Sequence, residues 1–292
     1  MCGVFAVYVL KLKFRRNNMK SRYVCPICGE ILEETEKSYF CSNNHSFDVS
    51  ADGYVNLASA KKSNTEISGD AADTCRARKK FLEAGYYKPL ADKICECVSE
   101  IAAQDDVFVI DAGCGEGYYS RCMKDMFPAF DIYGIDLAKQ GVKIAAKTQK
   151  NTENKNHYSV AGIFDMPFEN DCASAVISIF APVSDKESHR VLKDGGLLIV
   201  ACPGKKHLFG LKQALYENPT ENEEKFPEYE GFTLEDTKEI NYEIGLDNEN
   251  AAALFAMTPY FWRSSKEVRQ KSEQLEKILT DVHFIVKVYR KI

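Results

Sequence analysis

The sequence predicts an α/β protein: a doubly wound, Rossmann-like parallel sheet carrying a small N-terminal metal-binding domain. Three observations predict it. Four ligand-type side chains, Cys25, Cys28, Cys41 and His45, crowd into a stretch with little core of its own. From Val107 onward, short apolar runs alternate with amphipathic segments. A glycine-rich loop, Asp111-Ala-Gly-Cys-Gly-Glu-Gly117, follows the first of those runs directly.

A chain of 292 residues, 45% hydrophobic and 28% charged, can bury one sizeable core and keep about 60 to 80 residues for a second unit. Met1 to Leu10 is apolar, but Lys11, Lys13, Arg15 and Arg16 follow the run instead of preceding it, and no small-residue cleavage site comes after; the segment makes a poor signal peptide. Translation from Met19 would make the preceding residues an upstream extension, so 1–20 are set outside the fold. The expected division is then a zinc-binding domain over 21–58, a linker over 59–70 and a catalytic domain over 71–292.

Residues 23–57 hold too few large apolar side chains to fold without a cross-link. Cys25-Pro-Ile-Cys28 and, thirteen residues on, Cys41 with His45 supply two ligand pairs from two loops, as a tetrahedral zinc requires. Buried thiols are the plainer reading of any one cysteine, but not of all four residues together. With no fifth ligand or acidic partner beside them, the site reads as closed and structural.

Between Gly69 and Ala103 the pattern turns helical, with Phe81/Leu82, Leu90, Ile94, Cys97, Val98 and Ile101 at three- and four-residue spacings. Strand-like runs follow at Val107-Phe-Val-Ile-Asp111, Ile132-Tyr-Gly-Ile-Asp136, His157-Tyr-Ser-Val-Ala161, Ala175-Val-Ile-Ser-Ile-Phe180 and Leu197-Leu-Ile-Val-Ala201. Lys193-Asp-Gly-Gly196 reads as a sharp turn feeding the fifth, and 217–232 as an inserted loop. Two late candidates, 237–245 and 281–290, are expected to pair antiparallel at one sheet edge. No run of apolar residues is long enough to span a bilayer, so a soluble protein is expected. Eight of the eleven cysteines are scattered irregularly, as reduced thiols in the cytosol would be. The net charge of −5 restricts nucleic-acid contact to local patches, for which Lys61/Lys62 and the run Arg76, Arg78, Lys79, Lys80 are candidates. That run, the front domain and the pocket are expected to form one positively lined cleft.

In the glycine loop, Gly113 and Gly115 let the backbone approach a ligand, and the following helix offers amide donors from its first turn, which holds Tyr118, Tyr119 and Ser120. Alone, such a loop fits a dinucleotide binder equally well. The D-x-G-x-G spacing lacks the G-x-G-x-x-G form, and Asp136 ends the second strand where a carboxylate accepts both ribose hydroxyls. Met166-Pro-Phe168 is similar to the turn bordering the adenine pocket in class I enzymes, although Gly162 stands where an acid is usual. Together these features predict a class I methyltransferase sheet that binds S-adenosylmethionine.

The chain resembles the bacterial 23S rRNA (guanine-N1)-methyltransferases of the RlmA type. The resemblance rests on the zinc set, His45-Ser-Phe-Asp48, Gly53-Tyr-Val-Asn-Leu57, Gly69-Asp70, Arg78-x-x-Phe-Leu-x-Ala-Gly85 with Tyr87, Gly113 to Tyr119, Phe180-Ala-Pro182, Pro203-Gly with His207, and Met257-Thr-Pro-Tyr-Phe-Trp-Arg263. It implies methyl transfer to N1 of a guanosine in a 23S rRNA hairpin, a structural Zn2+, no membrane partner, and a homodimer as a working form to test. It also places Tyr87 and His207 in the cofactor pocket with Gly113, Gly115, Glu116, Gly117, Tyr119, Ser120 and Asp136. Phe180 is the candidate to stack on the target base, and Trp262 and Arg263 either touch substrate or close the C-terminal helix. Two other functions compete: a small-molecule methyltransferase, which needs no zinc domain, and a non-catalytic zinc-containing RNA-binding protein, which needs no intact glycine loop. Removing 1–58 is expected to abolish RNA methylation and leave cofactor binding nearly intact.

Overall fold

The computed structural model describes residues 19–58, 72–224 and 227–292, the side chains of Met19 and Trp262 excepted. The upstream segment, most of the linker, Lys61/Lys62 and the Gly69-Asp70 pair lie outside the described residues. The front of the chain forms an antiparallel sheet in the order β1 (Met19–Val24), β2 (Ile31–Glu34), β3 (Ser38–Phe40), β4 (Ser46–Asp48). Met19 and Lys20, grouped by sequence with the extension, are its first two residues.

The next strand, β5 (Val55–Asn56), leaves this sheet and joins the large one. Two helices follow, α1 (Ala72–Glu83) and α2 (Lys88–Val98). Pro89 stands in the first turn of the second, where its missing N–H costs nothing, and Leu90, Ala91, Ile94, Cys95, Cys97 and Val98 are its buried residues. The alternation then runs β6 (Phe108–Ala112), α3 (Tyr118–Met126), β7 (Asp131–Asp136), α4 (Lys139–Thr148), β8 (His157–Val160), β9 (Ala173–Ile179), α5 (Asp185–Val191), β10 (Leu192–Pro203) and α6 (Phe209–Leu215). Last come β11 (Phe232–Asp247), the short helices α7 (Asn248–Ala256), α8 (Pro259–Arg263) and α9 (Lys266–Glu273), and β12 (Lys277–Lys291).

The eight-stranded sheet has the order β11-β12-β10-β9-β6-β7-β8-β5. It is parallel from β10 to β5, while β12 runs antiparallel to both β10 and β11, as expected of the two late strands. Every residue of β6 and β9 is buried, the continuous apolar pattern of a strand covered on both faces. On the outermost strand, Glu235, Asp236, Lys238, Glu239 and Glu243 discourage pairing with another edge. The turn expected at Lys193–Gly196 is absorbed into β10 as an irregularity: the register shifts between Leu192 and Leu197, and Gly195 has φ +73°.

Two large apolar clusters flank the sheet, beside a smaller one between α4 and β8 at Val142, Ala145 and Tyr158. One joins α1 and α2 to β6, β9, β10 and β12 through Phe81, Leu90, Ile94, Val109, Ile177 and Phe284. The other joins the front sheet to the large one. In it Tyr23 is fully buried, its ring centroid 4.7 Å from Tyr133, 5.4 Å from Phe168 and 5.5 Å from Tyr39. Hydrogen bonds cross the same boundary, from Val24 N to Pro167 O (2.9 Å) and from Leu57 N to Val160 O (2.9 Å). Arg22 pairs with both Asp106 and Asp131. The front sheet therefore supplies part of the wall that a doubly wound fold otherwise builds from helices.

Candidate active site and zinc centre

The first knuckle is closed by Gly29 N donating to Cys25 O, and the second by Asn44 N donating to Cys41 O, which brings the four predicted ligands together. Their ligand atoms all lie within 4.8 Å of one another. Cys28 Sγ is 3.7 Å from Cys41 Sγ, while His45 Nδ1 is 3.5 Å from Cys25 Sγ and 3.4 Å from Cys41 Sγ. A tetrahedron with ordinary Zn–S and Zn–N bonds has edges of about 3.5 to 3.8 Å, so the set fits zinc through Nδ1 of His45. The side chain of Asn43 and the amide of Glu30 hold the Cys28 thiol down at about 6, which suits a thiolate ligand.

At the C-terminal ends of the parallel strands lies a cleft of about 960 Å3. Tyr87, Gly113, Gly115, Glu116, Tyr119, Asp136, Phe180 and His207 all line it. Gly117 and Ser120 do not; they build its floor. A Cβ on Gly117, which has φ +78°, would stand 2.5 Å from the Tyr158 hydroxyl, and the fully buried Ser120 donates to the Asp111 carboxylate. Gly113, at φ +85°, packs against Ala181, where a Cβ would come within 2.5 Å of the alanine Cβ. The glycine loop and the Phe180-Ala-Pro turn therefore touch.

Asp136 is held in place by the cleft's own backbone: Oδ2 accepts from Gly115 N (2.9 Å) and Oδ1 from Ala138 N (2.7 Å). Glu116 turns inward against Arg121 (3.1 Å), and burial pushes its carboxyl up. Asp111, left out of the sequence-derived set, lines the cleft too, and burial raises it to about 7. As the acid of the D-x-G-x-G pattern it was legible. Leu137, Ile163 and Phe164 form an apolar stretch of wall; Met166 and Phe168, expected beside the adenine, are buried, and Phe168 stacks on Tyr23.

Burial, with His283 and Lys212 nearby, pushes His207 down to about 3 and keeps it neutral. Its Nδ1 accepts from the backbone N–H of His283 (3.3 Å), and its Nε2 lies 3.4 Å from the Tyr87 hydroxyl. Phe180 has φ +55°, a strained conformation for a bulky side chain, and its ring is 45% exposed at the cleft. Met257 to Tyr260 also line the cleft; Arg263 is exposed and ends α8. The expectation of a positively lined cleft is corrected. Arg76 pairs with Asp73, Lys79 with Glu83 and Lys80 with Glu249, so only Arg78 of that run lines the cleft, opposite Asp111, Glu116 and Asp136. Among the described residues no helix is long and apolar enough to cross a membrane.

A mixed Rossmann-like sheet with a glycine loop after one central strand and an acid ending the next defines a class I methyltransferase fold. Residues 109–196 match the family model described as a methyltransferase domain, and residues 23–64 match the zinc-ribbon model described as RlmA, N-terminal. A Bacillus subtilis (strain 168) protein assigned as a 23S rRNA (guanine-N1)-methyltransferase is 32% identical over 259 residues, covering 85% of this chain and 89% of its own. A 23S rRNA (guanine(748)-N1)-methyltransferase of Streptomyces fradiae is 27% identical over 261 residues, 86% of this chain and 90% of its own. The chain belongs to the 23S rRNA (guanine-N1)-methyltransferase family.

Proposed function

We propose that this protein transfers a methyl group from S-adenosylmethionine to N1 of a guanosine in a 23S rRNA hairpin, in the cytosol, with one structural zinc per chain. The observation that carries this reading is the similarity across both the zinc ribbon and the cleft to relatives named for that reaction. S-Adenosylmethionine, when bound, supplies an electrophilic methyl on sulfur. Gly113 and Gly115 let it approach the loop backbone, Asp136 takes the ribose, Leu137 and Ile163 flank the adenine, and Tyr87, Tyr119, His207 and the Glu116 backbone complete its walls. Gly117 and Ser120 shape the loop from behind. Phe180, held upright by its strained backbone, stacks on the guanine once that base leaves its helix. The cleft then excludes water and fixes the acceptor nitrogen against the methyl, which is where much of the rate of such a displacement comes from.

Residues 21–58 serve as the zinc domain and 71–292 as the catalytic domain, joined through 59–70, and the working form is a homodimer, for which a doubled mass in sedimentation is the check. Mass mapping of 23S rRNA tests the activity. A deletion strain should lack one N1-methylguanosine, and the purified protein with S-adenosylmethionine should restore it. Unchanged rRNA in the deletion strain overturns the reading.

A further inference from the structure

The acceptor RNA must be held by something other than the charge of the cleft. Three carboxylates, Asp111, Glu116 and Asp136, line it against a single Lys or Arg, so phosphate attraction has little to act on there. Apolar side chains are distributed differently. Among the described residues eight large apolar side chains are exposed, and four of them stand on this part of the surface: Leu137, Phe164 and Phe180 on the cleft, and Ile27 on a groove beside it. Singly exposed apolar residues are ordinary, but half of them gathered at one mouth are not.

Phe164 is placed there by the backbone. Asp165 N donates to Gly162 O (3.3 Å) and closes a tight turn with Ile163 and Phe164 at its centre. Ile163 is buried and faces the place given above to the adenine, whereas Phe164 is 56% exposed. Phe180, the other exposed phenylalanine, packs on Tyr87, His207 and Phe284, but the Phe164 ring stacks on none of the described rings. Next along the chain, Asp165 shares the smaller groove with Pro26 and Ile27 of the first zinc knuckle. The turn therefore stands between the acceptor cleft and the zinc ribbon.

Taking a guanine out of its helix costs stacking twice, for the guanine and for the neighbour it leaves behind. Phe180 meets the first cost. We propose that Phe164 meets the second, as a shelf on which the unpaired nucleobase next to the target guanosine stacks, so that the RNA strand leaves the cleft toward the zinc knuckle. The proposal rests on the rRNA reading above and adds a second contacted base to it. Every base has a face to stack, so the shelf supplies affinity and register, not a sequence code.

The test is a double-mutant cycle on hairpin binding by the full chain. It pairs Phe164→Ala with rRNA hairpins made abasic at the nucleotide before or after the target guanosine. Phe164→Ala should weaken the intact hairpin about 5- to 100-fold, the range for a lost base–aromatic stack, and Phe164→Trp should keep most of the affinity. On one of the two abasic hairpins the alanine substitution should cost less than about twofold, because the ring has already lost its partner. The slope of affinity against salt should not change, since no phosphate contact is removed. Binding of S-adenosylmethionine without RNA should stay within about twofold of the parent. Losses of equal size on the intact hairpin and on both abasic ones would overturn the shelf. So would an equal loss of S-adenosylmethionine affinity, which would give Phe164 to the adenine, and so would unchanged affinity for the intact hairpin. Failure of the parent protein to bind the hairpin at all would overturn the rRNA reading itself, and the shelf with it.

Discussion

The zinc centre and the cofactor cleft are organised by opposite means, although both are built on loops between strands. In the zinc centre four side chains do the organising, and the short strands around it have little to bury. In the cleft the backbone does it. Glycines at positive φ and amides that grip Asp136 set the shape, on strands that are buried along their whole length. A site organised by side chains should fail all at once when one is lost; a site organised by backbone should lose affinity in steps. The two meet at Tyr23, which belongs to the zinc-bound sheet by sequence and to the catalytic core by packing.

That meeting point gives the comparison its sharpest tests. Cys41→Ser, or stripping the metal with a chelator, should cost more than about 4 kcal/mol of stability in denaturant unfolding, because losing the zinc removes the hold on the front sheet. It should also raise amide exchange at His157–Val160, where β5 pairs with β8. If the catalytic sheet instead unfolds at its old midpoint, the two regions are independent and the comparison breaks. Tyr23→Ala should cost about 3 to 5 kcal/mol in the same measurement, as large aromatic truncations in a core do, without touching any zinc ligand. The expectation that removing 1–58 spares cofactor binding changes accordingly. Tyr23, Val55 and Leu57 are all buried in the shared core, so the truncated chain should lose stability before it loses RNA.

At the cleft the expected effects are smaller. Asp136→Ala should weaken S-adenosylmethionine by about 1.5 to 3 kcal/mol in calorimetry and leave the unfolding midpoint nearly in place. Unchanged affinity would move the ribose contact elsewhere. Asp111 gives the smallest effect and the only one that depends on pH. Burial lifts its pKa from 3.8 to about 7, so between those values the folded state binds more protons than the unfolded one, and stability falls as pH rises. Asp111→Asn should therefore be more stable than the parent above pH 7, by roughly 1 to 2 kcal/mol without cofactor, and the gain should vanish as the pH falls toward 4. A gain independent of pH would mean that the carboxyl is not held protonated.

How much was legible in advance follows the same division. Zinc ligands are read from spacing, because the chemistry needs those residue types and little else; Cys25, Cys28, Cys41 and His45 come together as expected. The parallel strands and the late antiparallel pair are likewise written in apolar runs. What could not be read is anything set by which backbone lies beside which. Val55–Asn56 carries no strand signal and becomes a strand only because β8 offers it an edge. Gly117 and Ser120 adjoin Gly113 and Gly115 in sequence, yet they do not line the cleft: Gly117 packs on the Tyr158 hydroxyl and Ser120 donates to Asp111. The Arg76–Lys80 run looks like one basic patch until the helix distributes its members, three to nearby acids and one to the cleft.

The pairing of β5 with β8 also sets a timetable. Val55 waits for Ser159, made about 100 residues later, which at about 5 to 20 residues per second is a delay of several seconds on the ribosome. Through that interval the front sheet has no finished wall to lean on, and Tyr23 still lacks Phe168 to cover it. Metal bound during translation would hold the front sheet together until β8 is made and gives Val55–Asn56 a partner.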